Sequence, residues 1–151
     1  MVKGCIKNVL YVTEKVFLRS KSLQKLNPLS NIDLENMAKE LKIKNFRGVF
    51  MRDTLPNKIK AKECGIVNLD SIKNEGTHWV CYYKDEKYYF DSFGLDPPNE
   101  IQDYLGEDIL CSTFQIQELG TNYCGHLCLK VLYELNKGET FLDIILNLLN
   151  G

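Results

Sequence analysis

The stretch GTHWVCYYKDEKYYFDSFG (residues 76–94) carries one of the chain's two histidines, its only tryptophan and a dense run of aromatics. Two segments rich in β-branched and aromatic residues, THWVCYY (77–83) and KYYFDSF (87–93), flank the polar KDE, and this pattern predicts an antiparallel hairpin. Alternation along 77–83 places His78, Val80 and Tyr82 on one face, with Trp79 and Cys81 on the other. The hairpin also brings a histidine and an aspartate, His78 and Asp91, onto neighbouring strands. Taken singly, each has an ordinary structural role, as a hydrogen-bonded strand histidine and a strand-end carboxylate.

Working outward, GVFM (48–51) and CGIVNL (64–69) read as two further strands before the hairpin. Upstream of them, SNIDLENMAKELKI (30–43) reads as a helix. Ser30 precedes Asp33 by three residues in a capping-box pattern, and Ile32, Leu34, Met37, Ala38 and Leu41 recur at helical spacing. Downstream, PPNEIQDYL (97–105) opens with prolines suited to a helix start and has Ile101, Tyr104 and Leu105 on one side. CSTFQIQEL (111–119) alternates as a strand. In CGHLCLKVLYEL (124–135), Leu127, Cys128, Val131, Leu132 and Leu135 share one side of a helix, and Thr140 and Asp143 cap a last apolar helix, FLDIILNLL. The order is helix, four strands, helix, strand, helix, helix. It predicts an α+β fold: a mixed, mostly antiparallel central sheet flanked by helices, in a single domain over residues 1–151. The first 28 residues mix short apolar runs with lysines and predict a helix or an arm packed on that domain.

A chain of 151 residues that is 44% hydrophobic has enough apolar surface for a real core. No apolar run approaches the roughly 18 residues of a membrane-spanning helix, and the lysine-studded N-terminus has no secretory leader pattern. The expectation is a soluble, intracellular protein with no membrane partner. The net charge of −1 conceals an asymmetry: residues 1–63 hold 14 Lys and Arg against 6 Asp and Glu, residues 64–151 hold 5 against 14. Without an aromatic-interleaved basic stripe, this fits solvated helix faces better than a nucleic-acid surface. The six cysteines (5, 64, 81, 111, 124, 128) read mostly as reduced, buried apolar residues. The C-x3-C spacing of Cys124 and Cys128 lacks a second pair at ligand spacing, so no metal and no cofactor are expected.

The chemistry gathers at QIQELGTNYCGHLCL (115–129), where a Gly/Thr/Asn loop meets the first turn of a helix at Cys124. Asn122 is the expected N-cap, which leaves the thiol near unpaired backbone N–H groups and the positive end of the helix dipole. Beside an imidazole, thiols so placed ionise at a pKa of about 3.5–7.5, and the thiolate is the nucleophile. Gly125 removes the side chain after the sulfur and would let a substrate backbone approach. With Cys124, His78 and Asp91 supply a nucleophile, a base and a group that fixes the base's tautomer. Gln117 is the candidate amide donor to an oxyanion, together with the Cys124 N–H, and Gln115 is its rival on the same strand face.

GTHWV, YYFDSFG and QIQELGTNYCGHLC, in that order, resemble the adenovirus-type (adenain-like) cysteine proteases, relatives of the Ulp1-like ubiquitin-like-protein proteases. The resemblance runs over roughly residues 30–136 and takes in CGIVNLD before the histidine. It implies a papain-like or Ulp1-like fold with His78 as general base, Asp91 as third member, Gln117 as oxyanion glutamine and Cys124 as nucleophile. Trp79 matches a family tryptophan. The chain departs from the cellular branch at Tyr123, where ubiquitin-like-protein proteases tend to have Asp.

The resemblance further implies a monomeric cysteine endopeptidase. It would mature capsid or core precursor proteins for a DNA virus, a virophage or a large transposon, in host cytoplasm or nucleus and in the virion. Relatives often cut next to glycine. The adenovirus enzyme is stimulated by DNA and by a disulfide-linked peptide, which raises a DNA or peptide activator; Cys111 does not align with the peptide-linking cysteine. Two rival readings are a deconjugating protease for ubiquitin-like tails and a protease fold retained as an inactive binding module.

Overall fold

A computed structural model describes residues 28–70, 78–118 and 120–150. Residues 1–27, on which the predicted N-terminal arm falls, lie outside the described residues. In chain order the elements are α1 (Asn31–Glu40), β1 (Phe46–Met51), β2 (Cys64–Asn68), β3 (Trp79–Tyr83), β4 (Tyr88–Phe90), α2 (Asn99–Leu105), β5 (Leu110–Cys111), α3 (Cys124–Asn136) and α4 (Phe141–Asn150). This is the order that periodicity predicts. The strands form one sheet in the order β1-β2-β3-β4-β5. Its two inner pairings, β2 with β3 and β3 with β4, are antiparallel, whereas β1 and β5 join the edges in parallel.

The sheet is covered on both faces. Cys64, Ile66, Trp79, Cys81 and Phe90 pack with Leu34 and Ala38 of α1, Leu127, Cys128 and Leu132 of α3, and Ile144 and Ile145 of α4. Val67, Val80, Tyr82 and Tyr89 face the other way, under Ile101 and Leu105 of α2. Trp79/Cys81 and Val80/Tyr82 thus separate by alternation, and each large apolar side chain fully buried this way contributes about 1.5–3 kcal/mol. Ser30 and Asp33 do form the capping box: Asp33 N donates to Ser30 Oγ at 3.1 Å and Ser30 N to Asp33 Oδ2 at 3.0 Å. Ile32, one of the apolar positions predicted to face inward, is exposed; it sits in the first turn, beyond the reach of the core that buries Leu34 and Ala38.

Two strands, β4 and β5, cover less than half of their predicted spans, and one cause serves both. After Phe90 the chain leaves the ladder in a turn. Phe93 N donates to Asp91 Oδ1 at 2.8 Å and Gly94 N to Asp91 O at 2.8 Å, and Gly94 takes the left-handed φ of +73°. The segment after β5 then wraps this turn instead of extending the sheet. The amides of Ile116 and Gln117 both donate to the single carbonyl of Ser92, at 2.8 and 3.0 Å. The predicted strand over 111–119 is therefore corrected to a two-residue strand, Leu110–Cys111, followed by irregular chain through Glu118.

Candidate active site

His78 and Asp91 stand just beyond the paired ends of β3 and β4. Continuing the register in which Cys81 faces Phe90 sets Phe93 opposite His78 and makes Asp91 a diagonal neighbour. The side chains conform to that geometry. His78 Nε2 lies 2.7 Å from Asp91 Oδ1, and the His78 and Phe93 rings stack with centroids 4.6 Å apart. Asp91 is fully buried, and its Oδ2 has no partner among the described residues. The Phe93 amide and the imidazole together hold Oδ1. With Nε2 committed to Asp91, Nδ1 is the ring nitrogen left for the neighbouring thiol of Cys124. Burial pulls the His78 pKa down, but the hydrogen bonds and charges of Asp91 and Cys124 outweigh it and hold it at about 9.

Cys124 is the first residue of α3. The buried side of that helix, including Leu127, Cys128, Val131 and Leu132, belongs to the same core as Trp79 and Cys81 of β3, so its N-terminal end meets the start of that strand. Trp79 N donates to Cys124 Sγ at 3.4 Å, and the Trp79 indole N–H donates to Leu29 O at 3.1 Å. The cap position falls on Tyr123, without a side-chain cap bond, and not on Asn122, because the helix begins one residue too late for the Asn122 side chain to cap it. The Tyr123 ring is buried, and its hydroxyl accepts from Glu118 N at 3.3 Å, tying down the loop that leads to Cys124. Gly125 is also buried: a Cβ there would sit 3.1 Å from Leu34 Cδ2 and 3.4 Å from Trp79 Cδ1. Its small size serves the packing of α3 on α1 and Trp79, in place of the predicted open approach for a substrate.

Gln117 is buried and fixed at both ends of its amide. Oε1 accepts from Ser92 Oγ at 2.6 Å, and Nε2 donates to Thr121 O at 2.8 Å. Gln117 is thereby linked to the residue after Asp91 and to the loop three residues before Cys124. Gln115, its rival, is exposed and spends its amide on Gln117 O at 3.1 Å. The two glutamines do not share a face, because the chain here is not a strand. His78, Asp91 and Cys124 are thus brought together directly, and Gln117 is joined to them through Ser92 and Thr121. Sequence reasoning passed over Ser92 and Phe93. The hairpin register, extended past Phe90, was the signal that points to Phe93.

The other described histidine, His126, is buried on α3, where burial pushes its pKa down to about 4 against the opposing charge of Asp33. Burial also pushes the Cys64 thiol up to about 12 and raises those of Cys128 and Cys111. A cavity of about 570 Å³ beside α2 and β5, lined by Asp96, Gln102, Asp103, Glu107 and Cys111 among others, contains none of the four site residues. Among the described residues no cluster of three or more His, Cys, Asp and Glu side chains is placed to hold a metal, and no helix is long and apolar enough to cross a membrane. No protein-family model matches this chain, and no curated protein matches its sequence.

Proposed function

We propose that the protein is a cysteine endopeptidase that works through a thioester acyl-enzyme. The observation that carries this reading is the contact chain at α3: Cys124 on the first helical residue, His78 against its sulfur, and buried Asp91 2.7 Å from the far nitrogen of His78. An inert buried cysteine has no use for a base whose tautomer is fixed by a buried carboxylate.

In the proposed reaction the Cys124 thiolate attacks the scissile carbonyl carbon. An S–C bond forms, and the carbonyl π pair moves to oxygen, where the Cys124 N–H and the Gln117 amide receive it. His78, protonated at Nδ1, gives that proton to the leaving amine as the C–N bond breaks. Water then attacks the thioester, His78 takes its proton, and the C–S bond breaks to release the acid and restore the Cys124 thiolate beside protonated His78. Asp91 holds Nε2–H throughout. Trp79 N–H already donates to Sγ, at 3.4 Å.

The finer assignment, a viral-type maturation enzyme acting on capsid or core precursors, rests on the resemblance of GTHWV, YYFDSFG and YCGHLC to the adenovirus-type proteases. A glycine at the scissile position is the substrate feature to try first. The test is alkylation by iodoacetamide at about pH 6, comparing the unaltered protein with Cys124→Ala and His78→Ala. Selective labelling of Cys124 that fades without His78 is expected, since Cys64, Cys111 and Cys128 hold their protons more tightly than an ordinary thiol. Labelling of Cys124 no faster than of the other cysteines overturns the reading and leaves a binding module as the alternative.

A further inference from the structure

We infer that Ser92 is a positioning residue for the oxyanion-binding amide: its hydroxyl locks the Gln117 side chain in the one orientation that aims an N–H at the reacting carbonyl. The inference rests on the cysteine endopeptidase reading and adds to it a residue on which transition-state binding depends.

The amide orientation is dictated by what each neighbour can do. Thr121 O is a carbonyl and only accepts, so the group 2.8 Å from it must be the Gln117 nitrogen. Oε1 is then the atom 2.6 Å from Ser92 Oγ, and the serine hydroxyl must donate. Nε2 carries two hydrogens. One is spent on Thr121 O, and the other has no partner among the described residues. The side chains of Ser92 and Gln117 are both buried, at 0% and 1% exposure, so no bulk water can substitute for the hydroxyl. Two backbone bonds accompany this side-chain bond, since Ser92 O accepts from both Ile116 N and Gln117 N. The main chain therefore fixes where the glutamine starts, and the Ser92 hydroxyl fixes how its amide is turned.

The turn after β4 thus serves the site with three consecutive residues. Asp91 orients the base, Ser92 orients the oxyanion donor, and Phe93 stacks on the base and donates its N–H to Asp91. Without the Ser92 hydroxyl, Oε1 is left buried and unpaired, and the amide gains by rotating toward any other donor. The donor to the oxyanion is then misaimed rather than absent. That costs less than the roughly 10²–10³-fold in rate typical of losing a donor outright.

The test compares Ser92→Ala, Gln117→Ala and the double variant by three readouts. These are hydrolysis of a glycyl coumarin amide peptide, inhibition by the matching glycinal aldehyde, and iodoacetamide alkylation of Cys124. The aldehyde forms a hemithioacetal with the thiol, whose oxygen sits where the oxyanion would, whereas alkylation develops no oxyanion. For Ser92→Ala a fall in kcat of roughly 10- to 100-fold is expected, with KM little changed, the aldehyde weakened in the same proportion and alkylation unchanged. In the Gln117→Ala background the serine substitution should cost nothing further. The inference is overturned if kcat is unaffected, or if alkylation falls in step with kcat, because the serine would then act through Asp91 and His78. It is equally overturned if the two substitutions add in full. Unaltered protein whose Cys124 shows no selective alkylation would instead sink the peptidase reading, and the inference with it.

Discussion

With 14% of its side chain exposed, His78 would by burial alone release its proton more readily than a free imidazole. Asp91 and Cys124 reverse that, and the ring stays protonated up to about pH 9. A pKa raised from 6.5 to about 9 gives a contribution to folding that is complete below about pH 6.5 and is lost as the pH climbs through 9. In the proposed reaction the same proton is the one delivered to the leaving amine, so the alkaline limb of kcat/KM should fall near pH 9. Asp91→Asn keeps the shape of the side chain but removes the charge that opposes desolvation. It should move that limb down by roughly one to three units and lower kcat/KM at neutral pH by roughly 10²–10⁴-fold. A pH–rate profile of the variant measures both, and a limb left near pH 9 would show that Asp91 does not set the His78 proton affinity.

At the level of elements, the site depends on one tight crossing, where the segment after β5 passes over the turn after β4. Gly94 makes the crossing possible. Its φ is +73°, and a Cβ there would lie 2.8 Å from the backbone of Phe114 and of Thr113, atoms that cannot step aside as a side chain can. Gly94→Ala should therefore cost about 1–2 kcal/mol for the left-handed conformation and about 1–3 kcal/mol more for overpacking. Urea unfolding should show a lower midpoint at an unchanged slope, and a midpoint equal to that of the unaltered protein would mean the crossing is looser than its geometry. This crossing is also where the sequence was least legible. The capping box of α1, the 77–93 hairpin and the apolar side of α3 are written in local spacing, and local spacing is what periodicity reads. FQIQEL alternates as cleanly as a strand, yet its conformation is set by the distant Ser92 carbonyl, which takes two amides and ends the ladder. For the same reason the resemblance could single out Gln117 by its distance from Cys124, but that Gln117 is buried and Gln115 exposed needed the fold, since only tertiary contacts bury one and expose the other. Asn122 lost the cap to Tyr123 by a single residue, the scale on which capping patterns place a helix end.

Across the whole molecule, a second buried polar cluster holds the far part of the sheet together. Glu63, 3% exposed just before β2, accepts from Tyr82 Oη at 2.6 Å, Tyr104 Oη at 2.9 Å and Lys60 N at 2.7 Å, with Arg47 Nη1 3.5 Å away. These partners come from β3, α2, the β1–β2 connection and β1, so one carboxylate joins both helical cover and sheet. Gly65 is what lets the Tyr82 ring lie across β2 to reach it, since a Cβ there would come within 2.7 Å of the phenol oxygen. Burial, with the carboxylate alongside, lifts the Tyr104 pKa to about 12. Glu63→Ala leaves Tyr82 Oη buried without its acceptor and should cost about 1–3 kcal/mol for that group alone, with a further loss at the partly exposed Tyr104 and Arg47. For a chain of this size each kcal/mol lowers Tm by roughly 2–4 °C, so calorimetry should find a drop of several degrees. Glu63→Gln, which keeps an oxygen for the phenols, should lose less. None of these partners is hydrogen-bonded to His78, Asp91, Gln117 or Cys124, so alkylation of Cys124 well below the lowered Tm should proceed at the unaltered rate. A rate that falls together with Tm would mean that the α2 face and the α3 face of the sheet do not act independently, and that the site relies on Glu63 through the shared strand β3.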